Sequence, residues 1–308
     1  IAKTTGGAWI LGTDYYKITT NSGGTGVDRN GLATPALADL DGDGDVDRVY
    51  AGDLKGQMWA FDLSNSSPGA WDLADASGKP LFTTKGDEPI TSKPTLALHP
   101  TVSSDGTNAP NVMVYFGSGQ YLVDADKASI NDNYFYGVWD RGDYDLDDGD
   151  LQEQTFIPAY APERVLTRTA VDYLGSKYGW FFELDVNGER SVTNPVVRGG
   201  LVFFNSFVPV SDPCSVGGFG YRFAVDMISG GSPDEVAVDV NGDGVIDDND
   251  KASDGSGNTD TIAAIRQEGF LPEPVFIEDI AYTAETPSKV IELPEPPTGR
   301  FGWQELIQ

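Results

Sequence analysis

Histidine occurs once, at His99, and cysteine once, at Cys214. No disulfide can close within the chain shown. With no second histidine or cysteine near His99, neither a zinc site nor a histidine-based catalytic triad finds support. Basic residues are scarce too: 20 Lys and Arg against 48 Asp and Glu leave a net charge of −28. A field of that sign repels phosphate backbones and anionic membrane surfaces, so nucleic acid is set aside as a partner. The apolar runs fall far short of a membrane span, and Ile1-Ala2-Lys3 does not resemble a signal peptide. Walker loops, dinucleotide fingerprints and Gly-x-Ser-x-Gly elbows are missing. Among 48 acids, closeness in sequence singles out no glycosidase pair.

A sustained 3.6-residue period is also lacking. Short apolar or alternating runs bounded by Gly, Asp, Asn and Pro recur instead, which is the pattern of strands and turns. The 37 glycines and 19 prolines fit that turn-rich reading. Expected strands are 8–12, 48–52, 57–63, 95–98, 112–117, 134–139, 179–185, 200–207 and 221–226. Short helices are expected only at 124–130 and at 260–267, where "DTIAAIRQ" opens on an aspartate start signal. The fold class is all-β. "VYAGDLKGQMWAFDL", "MVYFGSGQYLVDAD" and "AWILGTDYYKITT" share one plan of apolar strand, glycine-polar turn and aromatic strand. Units of this kind stack radially in β-propellers, and about four blades fit the chain. Because the first residues read as mid-strand, further blades are expected upstream. From about residue 271 a Pro-rich acidic segment is expected to run extended along the body or to return and close the last blade. The aromatics Trp59, Phe61, Trp139, Trp180, Phe181 and Phe182 are expected to pack between blades.

"ALADLDGDGDVDRVYAGDLKGQMWAFDLS", residues 36–64, carries the chemistry. Calcium takes six to eight oxygens, and a loop wraps it with carboxylates at positions 1, 3, 5 and 9, glycine at 6 and a backbone carbonyl at 7. Asp39, Asp41, Asp43, Gly44, Asp45 and Asp47 fill those places in order, Asp45 through its carbonyl. Position 12, a bidentate Glu in an EF-hand, is Tyr50, and a strand follows where a helix would stand. The loop is therefore calcium-type without being an EF-hand. "DVNGDGVIDDND" repeats the pattern over the full twelve positions, with Asp239, Asn241, Asp243, Gly244, Val245 as carbonyl donor, Asp247 and Asp250. One or two Ca2+ ions are thus expected. A third acidic stretch, residues 140–150, fails the same test and reads as a solvated loop. Within it, Arg141-Gly142-Asp143 spells the tripeptide that integrins read in some adhesive proteins, but a Gly-Asp turn is needed there after the strand in any case.

The first loop and the strands after it closely resemble the C-terminal domain of PilY/PilC-type proteins, the type IV pilus biogenesis factors and tip adhesins. "VYFGSGQYL", "FYGVWDRGD", "GERSVTNPVVRGGLVFFNSFVPVSDPC" and "GRFGWQEL" agree, so the resemblance runs from about residue 32 to the last residues. It implies a modified seven-bladed propeller of which this chain is the C-terminal part. It further implies a secreted, non-enzymatic protein at the pilus tip, with minor pilins and a host or abiotic surface as partners. On this resemblance Asp39, Asp41, Asp43, Asp45 and Asp47 correspond to a loop whose calcium occupancy regulates pilus extension and retraction. The role of the second loop, Asp239 to Asp250, is left open, and Arg141-Gly142-Asp143 does not inherit an adhesive role. "GDLKGQMWAFDL" also resembles the blade repeats of quinone-dependent dehydrogenases, which gives one rival reading. A calcium-stiffened surface adhesin unrelated to pili is another.

Overall fold

The computed structural model describes residues 9–23, 30–99, 110–210, 217–277, 280–283 and 286–289. Three antiparallel sheets follow one another along the chain, each a meander of sequence-adjacent strands. The first runs Ala36–Ala38, Arg48–Gly52, Gln57–Asp62, Asp72–Leu73, with Phe82–Thr83 paired to the start of the third strand. The second runs Thr95–Leu98, Val112–Gly117, Tyr134–Asp140, Gly179–Glu183, and adds Gln152–Glu153 in parallel on its outer edge. The third runs Val196–Arg198, Leu201–Asn205, Gly218–Asp226, Ala264–Glu268. This four-strand order is the plan of a propeller blade.

Alternation along the strands sends side chains to opposite faces, and in this chain both faces are apolar. From the first sheet Tyr50, Met58 and Ala60 meet Val112, Val114, Phe116, Tyr136 and Phe181 of the second. The other face of the second sheet, with Met113, Tyr115, Phe135, Trp180 and Phe182, meets Val202, Phe204, Phe223 and Val225 of the third. Phe135 and Phe204 stack across that boundary with ring centroids 3.6 Å apart. The aromatics expected between blades are therefore found there. Trp59 and Phe61 differ in direction, because they lie on the outer face of the first sheet with Ala51 and Leu73. That face is partly covered by the 15–18 segment and keeps an open apolar groove of about 540 Å³ lined by Tyr15, Tyr16, Leu32, Val49 and Trp71.

Several expected elements differ. The run at 260–267 is not a helix: Ala264–Glu268 is the outer strand of the third sheet, paired Phe223 to Ala264 and Phe219 to Glu268. Its Asp start signal has another use, since Asp260 accepts from the Arg168 guanidinium at 2.7 Å. Residues 9–12 form no strand; Leu11 bridges Tyr15 across a tight turn, and Ala8 lies outside the described residues. At 124–130 the structure has a short 3₁₀ helix, Asp124–Ala128. Past residue 271, Val275–Ile277, Ile280–Thr283 and Thr286–Lys289 form a three-stranded antiparallel sheet, whose Phe276 ring packs 4.8 Å from that of Phe203 on the third sheet. Cys214 and the "GRFGWQEL" stretch lie outside the described residues.

Candidate metal centre

The first acidic loop is the connection between Ala36–Ala38 and Arg48–Gly52, two paired strands of the first sheet. Its base is closed by the Asp47 amide donating to the Ala38 carbonyl at 2.9 Å. Asp39 accepts from Gly42 N at 2.8 Å through Oδ1 and from Gly44 N at 2.9 Å through Oδ2. Asp41 accepts from Asp43 N, Asp43 from Asp45 N, and Asp47 Oδ2 from Leu40 N at 2.7 Å. The chain can coil this tightly because Gly42 and Gly44 take φ of 79° and 96°, a region costly for residues with a Cβ. As a result one carboxylate oxygen from each of Asp39, Asp41 and Asp43 lies within 4.8 Å of the others. Asp39 is buried, whereas Asp41 and Asp43 face solvent.

The second loop, between Gly218–Asp226 and the outer strand of the third sheet, repeats these bonds nearly atom for atom. Asp239 accepts from Gly242 N and Gly244 N, Asn241 from Asp243 N, and Asp243 from Val245 N. Gly242 and Gly244 again have positive φ, 77° and 83°. The two loops part at their ends. In the second, the buried Asp250 accepts through Oδ1 from Val240 N and Asn241 N. In the first, the bond from the position-2 amide goes to Asp47. Asp47, ninth in sequence, thus stands where the twelfth residue stands in the full loop, and Asp247, the ninth of the second loop, instead caps the 3₁₀ turn Asp248–Asp250. Spacing alone aligns Asp47 with Asp247; only the shared amide partner reveals the shortened register.

Tyr50, at the twelfth position of the first loop, is 0% exposed and donates its hydroxyl to Asp140 Oδ2 at 2.8 Å. This corrects the reading of 140–150 as a solvated loop at its first residue. Asp140 is 0% exposed and ends the strand Tyr134–Asp140. Burial pushes its carboxyl above the ordinary value, against the pull of the Arg48 charge and the bonds from Tyr50 and Gly142. Burial, followed by the nearby Asp140 charge, holds the Tyr50 phenol well above its usual range. Farther along, Asp147 and Asp150 cap a 3₁₀ turn with the same bonds as Asp247 and Asp250. That stretch thus reproduces only the last turn of a twelve-residue loop.

In Arg141-Gly142-Asp143 the arginine and aspartate bind each other, Nε to Oδ2 at 3.2 Å. The Arg141 guanidinium also donates to the Tyr173 carbonyl and lies 4.0 Å over the Tyr178 ring. Gly142, at φ 94°, donates to Asp140 Oδ1. These bonds are those of the structural turn.

An acidic loop set between strands of radially stacked four-strand meanders defines this chain as a propeller-type all-β protein with acidic, glycine-bearing connections. Comparison with known proteins narrows the class. Residues 12–157 match the family described as the PilY1 beta-propeller domain. A type IV pilus biogenesis factor PilY1 homolog of Xylella fastidiosa is 32% identical over 282 residues, covering 85% of this chain and 18% of the relative. The type IV pilus biogenesis factor PilY1 of Pseudomonas aeruginosa is 29% identical over 288 residues, covering 79% and 24%. The crystal structure of the Pseudomonas aeruginosa PilY1 C-terminal domain superposes with a TM-score of 0.71 at 24% identity, covering 89% of this chain and 62% of that one. The resemblance to PilY/PilC-type proteins is borne out: the chain is a relative of PilY1 in its propeller domain, and it spans about a fifth of the length of the curated relatives.

Proposed function

We propose that this chain is the calcium-binding propeller portion of a type IV pilus biogenesis factor that also serves as a tip adhesin. In this reading calcium occupancy modulates pilus extension, retraction and surface attachment, and minor pilins are the partners. The observation that supports it most is the first loop, where three carboxylates converge on a turn held by five carboxylate-to-amide bonds, inside the region that matches the PilY1 beta-propeller domain. The donor set fits a hard cation that takes oxygen ligands. Asp39, Asp41 and Asp43 would hold it with their side chains, Asp45 with its carbonyl and Asp47 with its remaining oxygen. In the second loop Asp239, Asn241, Asp243, the Val245 carbonyl, Asp247 and Asp250 are the corresponding set. Calcium would supply the positive charge that lets these carboxylates crowd together.

The role is that of a binding and assembly protein rather than an enzyme. The quinone-dependent dehydrogenase alternative needs a tryptophan face open to a cofactor; Trp59, Trp139 and Trp180 are buried among neighbouring side chains, so among the described residues only the exposed Trp9 and, in the outer groove of the first sheet, Trp71 offer one. A pilus tip also implies a cell-surface location; among the described residues no helix is long and apolar enough to cross a membrane.

Calorimetric titration with calcium tests the ligand assignment. Asp47→Ala removes both a ligand oxygen and the clamp on Leu40 N, and it is expected to weaken the first site by about tenfold or more. An unchanged titration would refute the assignment. Co-purification of the intact protein with minor pilins in calcium, and its loss in chelator, is the matching test of the pilus role.

A further inference from the structure

Asp47 is fastened on three sides. Its amide donates to Ala38 O, its carboxylate accepts from Leu40 N, and its carbonyl accepts from Leu63 N at 2.8 Å. A shift of Asp47 is therefore carried into the strand that starts at the next residue. Tyr50 is the first residue of that strand to cross to another sheet through a polar bond, from its hydroxyl to Asp140 Oδ2. The other oxygen of the same carboxylate accepts from Gly142 N at 3.0 Å. One buried carboxylate thus joins the strand leaving the first loop to the turn on the second sheet that carries Arg141, Gly142 and Asp143. Packing alone does not call for this arrangement, because a phenyl ring at position 50 would fill the same space. The hydroxyl and the carboxylate both lose water on burial; the hydroxyl regains a partner in Asp140, and the carboxylate regains two, the Tyr50 hydroxyl and the Gly142 amide.

We propose that Tyr50 and Asp140 form an inter-sheet latch through which occupancy of the Asp39–Asp47 loop sets the order of the Arg141–Asp145 turn. The latch rests on the calcium reading above and adds to it a second place where occupancy is felt. An ordered loop holds Asp47 and its strand in register, Tyr50 then holds Asp140, and Asp140 holds the Gly142 amide. The residues act by positioning one another.

The test is amide hydrogen exchange on the whole chain, with calcium and with chelator, read in peptides covering 39–47 and 140–150. In the unaltered protein calcium is expected to slow exchange in both, by about threefold or more in the second. In Tyr50→Phe, which removes one oxygen and keeps the ring, calcium is expected to slow 39–47 only. Asp140→Leu serves as the second variant: it keeps the bulk of the side chain but can accept neither from the Tyr50 hydroxyl nor from Gly142 N, and the same uncoupling is expected. If calcium protects 39–47 but leaves 140–150 unchanged in the unaltered protein, the latch is overturned and the calcium reading stands. The latch is equally overturned if 140–150 responds as strongly in both variants. If calcium leaves 39–47 itself unchanged, the calcium reading fails and the latch with it.

Discussion

Asp140 shows how far a single residue can depart from what its neighbours in sequence suggest. Five more aspartates follow it within ten positions, and in the sequence it reads as one acid of a wet loop; its partner Tyr50 lies 90 positions away, a pairing no local pattern reports. The Asp39–Asp47 spacing, by contrast, was fully legible, because the glycines at positive φ and the alternate carboxylates that bond them are neighbours in sequence. What spacing could not show was that Asp47 takes the twelfth place, since that depends on the partner of the Leu40 amide. The buried carboxyl carries a pH signature. With Arg48, Tyr50, Asp143 and Tyr144 around it, the Asp140 carboxyl is raised by burial, so the folded protein holds this proton up to a higher pH than the unfolded chain, whose carboxyl ionises near ~3.9. The associated stability is full below the unfolded value and is lost as pH rises through the folded one. The melting temperature of the unaltered protein, measured against Asp140→Asn, should therefore gain as pH falls from neutral toward acid. A difference that stays flat would show that Asp140 does not titrate in that window.

At the scale of the element, strands were easier to place than their ends or their faces. Val112–Gly117 and Tyr134–Asp140 are buried at every position, and their unbroken apolar text reflects sheets covered on both sides. The outer strand Ala264–Glu268 defeated the same reading. Only Ala264 is buried and the residues after it alternate between half-buried and exposed, its apolar content is low, and its conformation is set by pairing with Gly218–Asp226 rather than by propensity. Gly137 marks a contact that strand patterns do not encode. It pairs with Trp180 in the adjacent strand, and a Cβ built on it would stand 2.5 Å from the indole. The flat indole lies against bare backbone, and Gly137→Ala would drive it off. The expected cost is about 1–3 kcal/mol of stability, read as a lower midpoint in denaturant with an unchanged slope. A midpoint equal to that of the unaltered protein would mean that the indole has room to move.

The whole chain carries a net charge of −28, and among the described residues many acids, Asp41, Asp43 and Asp45 with them, stand on exposed turns, so stability depends on what screens those turns. Raising ionic strength from about 0.01 M to about 0.15 M shortens the screening length from about 30 Å to about 8 Å. In calcium-free buffer the melting temperature should then climb by about 3 °C, and a fall on adding salt would show that self-repulsion is not a significant load. Repulsion across the molecule was legible from composition, and so was the radial stacking, through the recurring strand-turn-strand units. The direction of Trp59 and Phe61 was not, because the sequence does not say which apolar face meets which sheet. The shortened first loop has a mechanical consequence. Calcium proteins of the helix–loop–helix kind respond by swinging a helix through an angle. A cage that ends at its ninth residue and runs straight into a strand has no arm to swing. If calcium fills it as proposed, the ion would act as a rivet: the first sheet would keep its shape and resist being peeled apart, and the ion would be felt as the force the protein bears before it yields.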